Sequence, residues 1–142
     1  MQAKKEVDFW MKLAEGFLQE AQEDFSLRRW RSGVDNSQLA TKNTAKAVLA
    51  ILGPVGRTHN PSSLLRQVVA GGRELISFQA EVTRLAECAE LLGADIHVQS
   101  DYGDEAGGQT PWELFDEDAA QKALHLAEEA VRIAQVITQD AL

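Results

Sequence analysis

The strongest chemical signal in this chain is a histidine directly ahead of a helix start. His59 is followed by Asn60 and Pro61, a good N-cap residue and a favoured first helical residue. The unpaired N–H groups and partial positive charge of such a helix N-terminus suit a phosphate. Arg57, two positions earlier, can add a two-pronged anion donor. Lys42 and Lys46 stand four apart, so on a helix they share one face and can wall a nucleotide phosphate or an acidic partner surface. Tyr102 and Trp112 lie in a Gly- and Asp-rich stretch and can serve as a base-stacking lid. Lys42, Lys46, Arg57, His59 and Tyr102 therefore form the candidate ligand-binding set. Each also has a plainer use. His59 can cap backbone groups where a loop meets the core, the cations can be solvated, and loop aromatics can anchor their loop.

Other chemistry finds little support. Asp101, Asp104 and Glu105 do not have the alternating oxygens and distal glutamate of a calcium loop. His97 and His125 are isolated in sequence and build no His-Glu-x-x-His pattern. Cys88, the single cysteine, lies in a strong helical segment and reads as a small packed residue rather than a nucleophile. No phosphate loop and no serine or cysteine nucleophile motif occurs. We expect no metal, no cofactor and no catalytic residue. The net charge of -8 argues against binding long nucleic acid, although Arg28, Arg29 and Arg31 form a modest basic cluster beside Lys42 and Lys46.

Those residues need helices to position them. The first helix is expected from about Lys4 to Arg29, on the apolar stripe Val7, Met11, Ala14, Leu18, Ala21 and Phe25. Trp30-Arg31-Ser32-Gly33 reads as a break, with Gly33 as the turn and Ser32 or Asp35 as the next cap. A second, central helix runs from about Val34 to Leu52 with a face of small residues that suits core or dimer packing, and Gly53-Pro54 stops it. A short third helix spans Pro61 to about Ala70, and a fourth spans about Arg73 to Leu92. Residues 94–115 read as a long loop, which at that length is usually functional. Asp116 caps a last, alanine-rich helix running to about Thr138. The expected fold is all-α, an up-and-down antiparallel bundle of four to five helices in one domain of 142 residues. The longest apolar run, Ala47 to Gly53, is far short of the ~20 residues of a membrane span. The N-terminus lacks a signal-peptide pattern, so a cytoplasmic location is expected.

In this order and spacing, three segments resemble the HEPN domain family in its prokaryotic form. They are the central helix Ala40–Gly53, the Arg57-Thr58-His59-Asn60 turn followed by Leu64 and Leu65, and Asp101-Tyr102 ahead of the final helix. The resemblance spans roughly residues 5 to 138. It implies a homodimer, a nucleotide-type ligand, and a minimal nucleotidyltransferase partner in a toxin–antitoxin-type pair. The family's Arg-Tyr-Pro loop reads Asp101-Tyr102-Gly103 here, so a guanidinium suited to phosphate is replaced by an acid. Ribonucleases of the superfamily carry an arginine and a histidine with four to six residues between them. No arginine here precedes a histidine at that spacing; Arg57 and His59 are closest, with one residue between. The leading expectation is a non-catalytic binding module. The rivals are a divergent ribonuclease using His59 and Arg57, and a purely structural dimer or adaptor.

Overall fold

The computed structural model describes residues 2–55, 60–72 and 74–141. They form α1 (Gln2–Ser26), α2 (Trp30–Ala50), α3 (Pro61–Gly71), a 3-10 turn (Ile76–Phe78), α4 (Gln79–Leu91), α5 (Ala94–Tyr102), α6 (Pro111–Leu114) and α7 (Glu117–Ala141). Among the described residues there is no strand, only an isolated bridge between Asp104 and Gln109. The fold is the expected all-α bundle. Among the described residues no helix is long and apolar enough to cross a membrane.

The apolar stripes meet as their spacing demands. Val7 and Met11 of α1, Ala45, Val48 and Leu49 of α2, Val82 and Leu85 of α4, and Ala130, Ala134 and Ile137 of α7 share one buried cluster, with Leu65 of α3. A second cluster joins Val34, Leu92, Phe115, Ala120 and Ala123. α2 is the central helix, packed against α1, α3, α4, α5 and α7. Its small face, from Ser37 through Ala40, Thr41, Thr44, Ala45 and Ala47, is wholly buried inside the chain, so small side chains here serve close helix approach in the core. The Thr41 and Thr44 hydroxyls donate to the carbonyls of Ser37 and Thr41, which satisfies them within the helix.

Several boundaries differ from the sequence reading. Gly33 is not a turn. It lies buried in the first turns of α2, facing the Ala21 carbonyl and Asp24 of α1, where a small residue lets the two helices approach. The chain reverses earlier, through Leu27 to Arg29, with Arg28 in the left-handed region at φ 61°. Neither Ser32 nor Asp35 caps α2, because its N-cap position is Arg29. The fourth helix begins later than expected, since Leu75 takes a left-handed φ of 54° and a 3-10 turn precedes Gln79. The long loop is partly helical: it contains α5 and α6. Gly103 ends α5 at φ 76°, where any Cβ would collide with the Gln109 carbonyl, so glycine here is fixed by the close return of the chain through the Asp104–Gln109 bridge.

The cap at Asp116 is as expected: its Oδ1 accepts from the Ala119 amide at 2.9 Å. Asp116→Ala should lower stability by about 1 kcal/mol, read as a lower urea midpoint at unchanged slope. An unchanged midpoint would show that the acidic first turn, Glu117 and Asp118, carries the helix start alone.

Candidate functional site

One stripe of α2 is polar in an otherwise small and apolar helix. Arg31, Asp35, Gln38, Lys42 and Lys46 step by 4, 3, 4 and 4 residues, so they lie along one face. This face meets α5 at one end and α3 further along. The stripe divides into three environments.

In the middle, Gln38 and Lys42 line a cavity of about 450 Å³. Its other walls are the start of α3 (Asn60, Pro61, Ser62), the end of α4 (Ala89, Glu90, Leu92) and the start of α5 (Gly93, Ala94, Asp95). Two helix N-termini thus converge on one space, each bringing first-turn N–H groups that have no intrahelical acceptor. Gln38 is only 4% exposed, and its Oε1 has no hydrogen-bond partner among the described residues. A buried amide oxygen left so is costly, by roughly 1–3 kcal/mol, unless a ligand or water satisfies it. Glu90, on the wall, is already occupied: the Arg66 guanidinium donates to it at 2.9 and 2.7 Å. That pairing holds the Glu90 carboxyl below the usual range. Lys42 therefore faces the cavity with Asp95 as the acid without such a guanidinium clamp. At the α3 start, Pro61 occupies the first turn as expected, but Asn60 makes no side-chain cap bond; its Oδ1 accepts from the Ser62 hydroxyl at 2.6 Å.

Lys46, at the far end, does not join this cavity. Its ammonium sits over the Trp10 ring, 4.7 Å from the centroid. Burial, and then the charge of Lys42, push its pKa below the ordinary lysine value. The two lysines share a face, as their spacing requires, yet point to different neighbours.

At the near end, Asp35 meets α5. Its Oδ1 lies 2.9 Å from His97 Nδ1 and accepts from the Ser100 hydroxyl at 3.0 Å. His97 Nε2 lies 3.6 Å from Asp101 Oδ2. Arg31 donates to the Ser100 carbonyl at 2.9 Å and stands 3.7 Å from Asp101, with its guanidinium 5.6 Å from the Trp112 ring centroid. His97 and Asp101 are thus tied to α2, whereas Asp104 turns inward on its own loop and accepts from the Gly107 amide. The basic cluster is not an open patch either. Arg28, Arg29 and Arg31 each have an acid within 4.0 Å, namely Glu117, Asp24 and Asp101.

Tyr102 is 77% exposed at the end of α5, and Trp112 is 74% exposed on α6, so neither anchors its segment; the buried Phe115 does. Arg57 and His59 lie outside the described residues, immediately ahead of Asn60 in the chain. Cys88 is buried, and burial pushes its thiol up to about 11, which makes it an inert packing residue. Of the candidates read from the sequence, Lys42 reaches the cavity. Gln38, Asp35 and the role of His97 were missed, although the polar stripe at helical spacing could have indicated the first two.

Comparisons with known proteins bear on the fold that carries this arrangement. The family model of the HEPN domain matches residues 7–137. The crystal structure of TT1696 from Thermus thermophilus is similar in fold, with a TM-score of 0.66 at 17% identity, covering 92% of this chain and 97% of that one. No curated protein matches the sequence significantly.

Proposed function

The chain belongs to the HEPN domain family, and on that premise we propose that it is a non-catalytic binding module for a phosphate-bearing, nucleotide-type ligand held in the α2–α3–α5 cavity. The observation that carries the reading is the meeting of Lys42, two helix N-termini and the unpartnered Gln38 amide oxygen around one space of about 450 Å³. That volume falls in the range of small-molecule sites, roughly 300–1,000 Å³. Lys42 and the first-turn N–H groups suit phosphate oxygens. The Gln38 amide suits a base edge, and the Asp95 carboxylate suits a ribose hydroxyl.

The reading extends to partners. A minimal nucleotidyltransferase, acting with this chain in a toxin–antitoxin-type pair, and a second copy of the chain are both implied by the sequence resemblance. Val98 and Tyr102, exposed and one turn apart on α5, support a protein-binding surface there. Co-purification from the host, with the neighbouring gene product identified, tests the first; light scattering tests the second, and a monomer at micromolar concentration would count against it.

The ligand claim is tested by titrating ATP, GTP and adenosine calorimetrically into the protein. Saturable heat is expected for the nucleotides, with at least tenfold weaker binding of adenosine, which lacks the phosphates. No heat and no thermal shift at millimolar nucleotide would remove the reading.

A further inference from the structure

Asp35, His97 and Asp101 bring one imidazole and two carboxylates together from different helices, at a place separate from the Lys42 cavity. One ligating atom from each lies within 4.8 Å of the others, and this is the one such group of three among the described residues. We infer that this cluster is a binding site for a divalent transition cation of the zinc class, which fastens α5 to α2. The inference does not depend on the nucleotide reading.

Three observations carry it. The first is convergence. Zinc bonds to nitrogen and carboxylate oxygen run about 2.0–2.2 Å, so tetrahedral ligands stand roughly 3.4 Å apart. Here His97 Nε2 and Asp101 Oδ2 are 3.6 Å apart, and no pair in the set exceeds 4.8 Å. Asp35 now lies against His97 Nδ1 and Asp101 against Nε2, so cation binding requires one of the two carboxylates to turn toward the other's nitrogen.

The second is support from the surroundings. The fully buried Ser100 shares its one hydroxyl proton between Asp35 Oδ1 at 3.0 Å and the His97 carbonyl at 2.9 Å, which ties that carboxylate to the turn of α5. Arg31 donates to the Ser100 carbonyl, which fixes the turn of α5 that carries His97 and Asp101. Ligand side chains held by such outer bonds lose less freedom on coordinating a cation.

The third is charge. Two carboxylates face one guanidinium, Arg31, and that guanidinium is 3.7 Å from Asp101 and also engaged with Ser100 and Trp112. The two carboxylates exceed the one guanidinium by one negative charge, which attracts a cation. The donor set, one nitrogen and two oxygens, suits zinc, cobalt or manganese better than magnesium, which prefers oxygen and water. Water would fill the remaining position. Other soft ligands do not compete well: Cys88 is buried with a raised pKa, and His125 is exposed on α7, away from this group.

The test uses full-length, metal-stripped protein. Zn2+ is titrated calorimetrically, and Co2+ is titrated by visible absorbance, which reports low-coordinate nitrogen–oxygen ligation. One equivalent is expected to bind, with a higher melting temperature in Zn2+. His97→Ala and Asp101→Asn should each weaken binding at least tenfold and abolish the thermal shift, whereas His125→Ala should change neither. Should His97→Ala fail to fold, as judged by circular dichroism, Asp101→Asn at the rim of the cluster decides. No binding by wild type at millimolar Zn2+, or equal affinity in wild type and Asp101→Asn, would overturn the site.

Discussion

Lys42→Glu is expected to weaken nucleotide binding by about 100-fold. A charge-assisted hydrogen bond from an ammonium to a phosphate contributes roughly 1.5–3 kcal/mol, and every ~1.4 kcal/mol is a factor of ten. Reversing the charge removes that bond and places a carboxylate beside Asp95 at the mouth of two helix N-termini. The helix itself should be indifferent, because glutamate and lysine have similar helix propensities and Lys42 is only half-buried. Calorimetric titration with ATP, paired with circular dichroism, separates loss of binding from loss of fold. Lys46→Glu is the informative contrast. Its ammonium rests on Trp10 in a buried position, so the substitution should lower stability and leave ATP affinity within a few-fold. If Lys42→Glu binds ATP as wild type does, Lys42 has no part in ligand binding.

Leu85→Ala is expected to lower stability by about 2–5 kcal/mol. Leu85 has no exposed surface and packs in the cluster where α1, α2, α4 and α7 meet. Its cluster mixes six alanines and a buried cysteine with close-packed Val, Leu, Ile and Met side chains on the surrounding helices, so the space left behind closes only in part. For a domain whose whole stability is roughly 5–15 kcal/mol, such a loss is a large fraction. Urea denaturation followed by circular dichroism reads it directly. A loss under about 1 kcal/mol would mean that the core relaxes around the cavity and is looser than its packing indicates.

How far the fold was legible depends on what holds each helix. α1 and α7 are held by long apolar stripes, and their residues could be assigned from spacing alone: Val7, Met11, Ala14 and Ala21 on one, Ala123, Ala127, Ala130 and Ala134 on the other, all buried. α5 is different. Ala94–Tyr102 has no apolar stripe, and it docks through His97, Ser100 and Asp101 onto Arg31 and Asp35, more than 60 residues away in sequence. No local pattern announces a helix stabilised by polar bonds to a distant partner, so the segment read as loop. Gly33 misled for a related reason. A glycine reads as a turn when its neighbours are polar, yet here it is a contact point between α1 and α2.

The site was legible in part, and for the same cause. Lys42 and the Asn60-Pro61 helix start are local features, and they do line one cavity. Gln38 is invisible as a site residue until its side chain is found buried without a partner for its oxygen. His97 looked isolated because its partners, Asp35 on α2 and Asp101 one turn on, belong together only after α5 has folded against α2. Charged residues on one helix stripe were easy to group, but their directions were not. Arg31, Lys42 and Lys46 share a face and end at Trp112, at the cavity and at Trp10 respectively.

The central claim is that a phosphate-bearing ligand sits between α2 and the starts of α3 and α5. Amide chemical-shift mapping of the isotope-labelled protein on addition of ATP tests it most directly. The largest perturbations are expected at Gln38, Lys42, Ser62 and Ala94, with little change along α7. Perturbations centred instead on Arg28, Trp30 and Trp112, or none at saturating nucleotide, would contradict it.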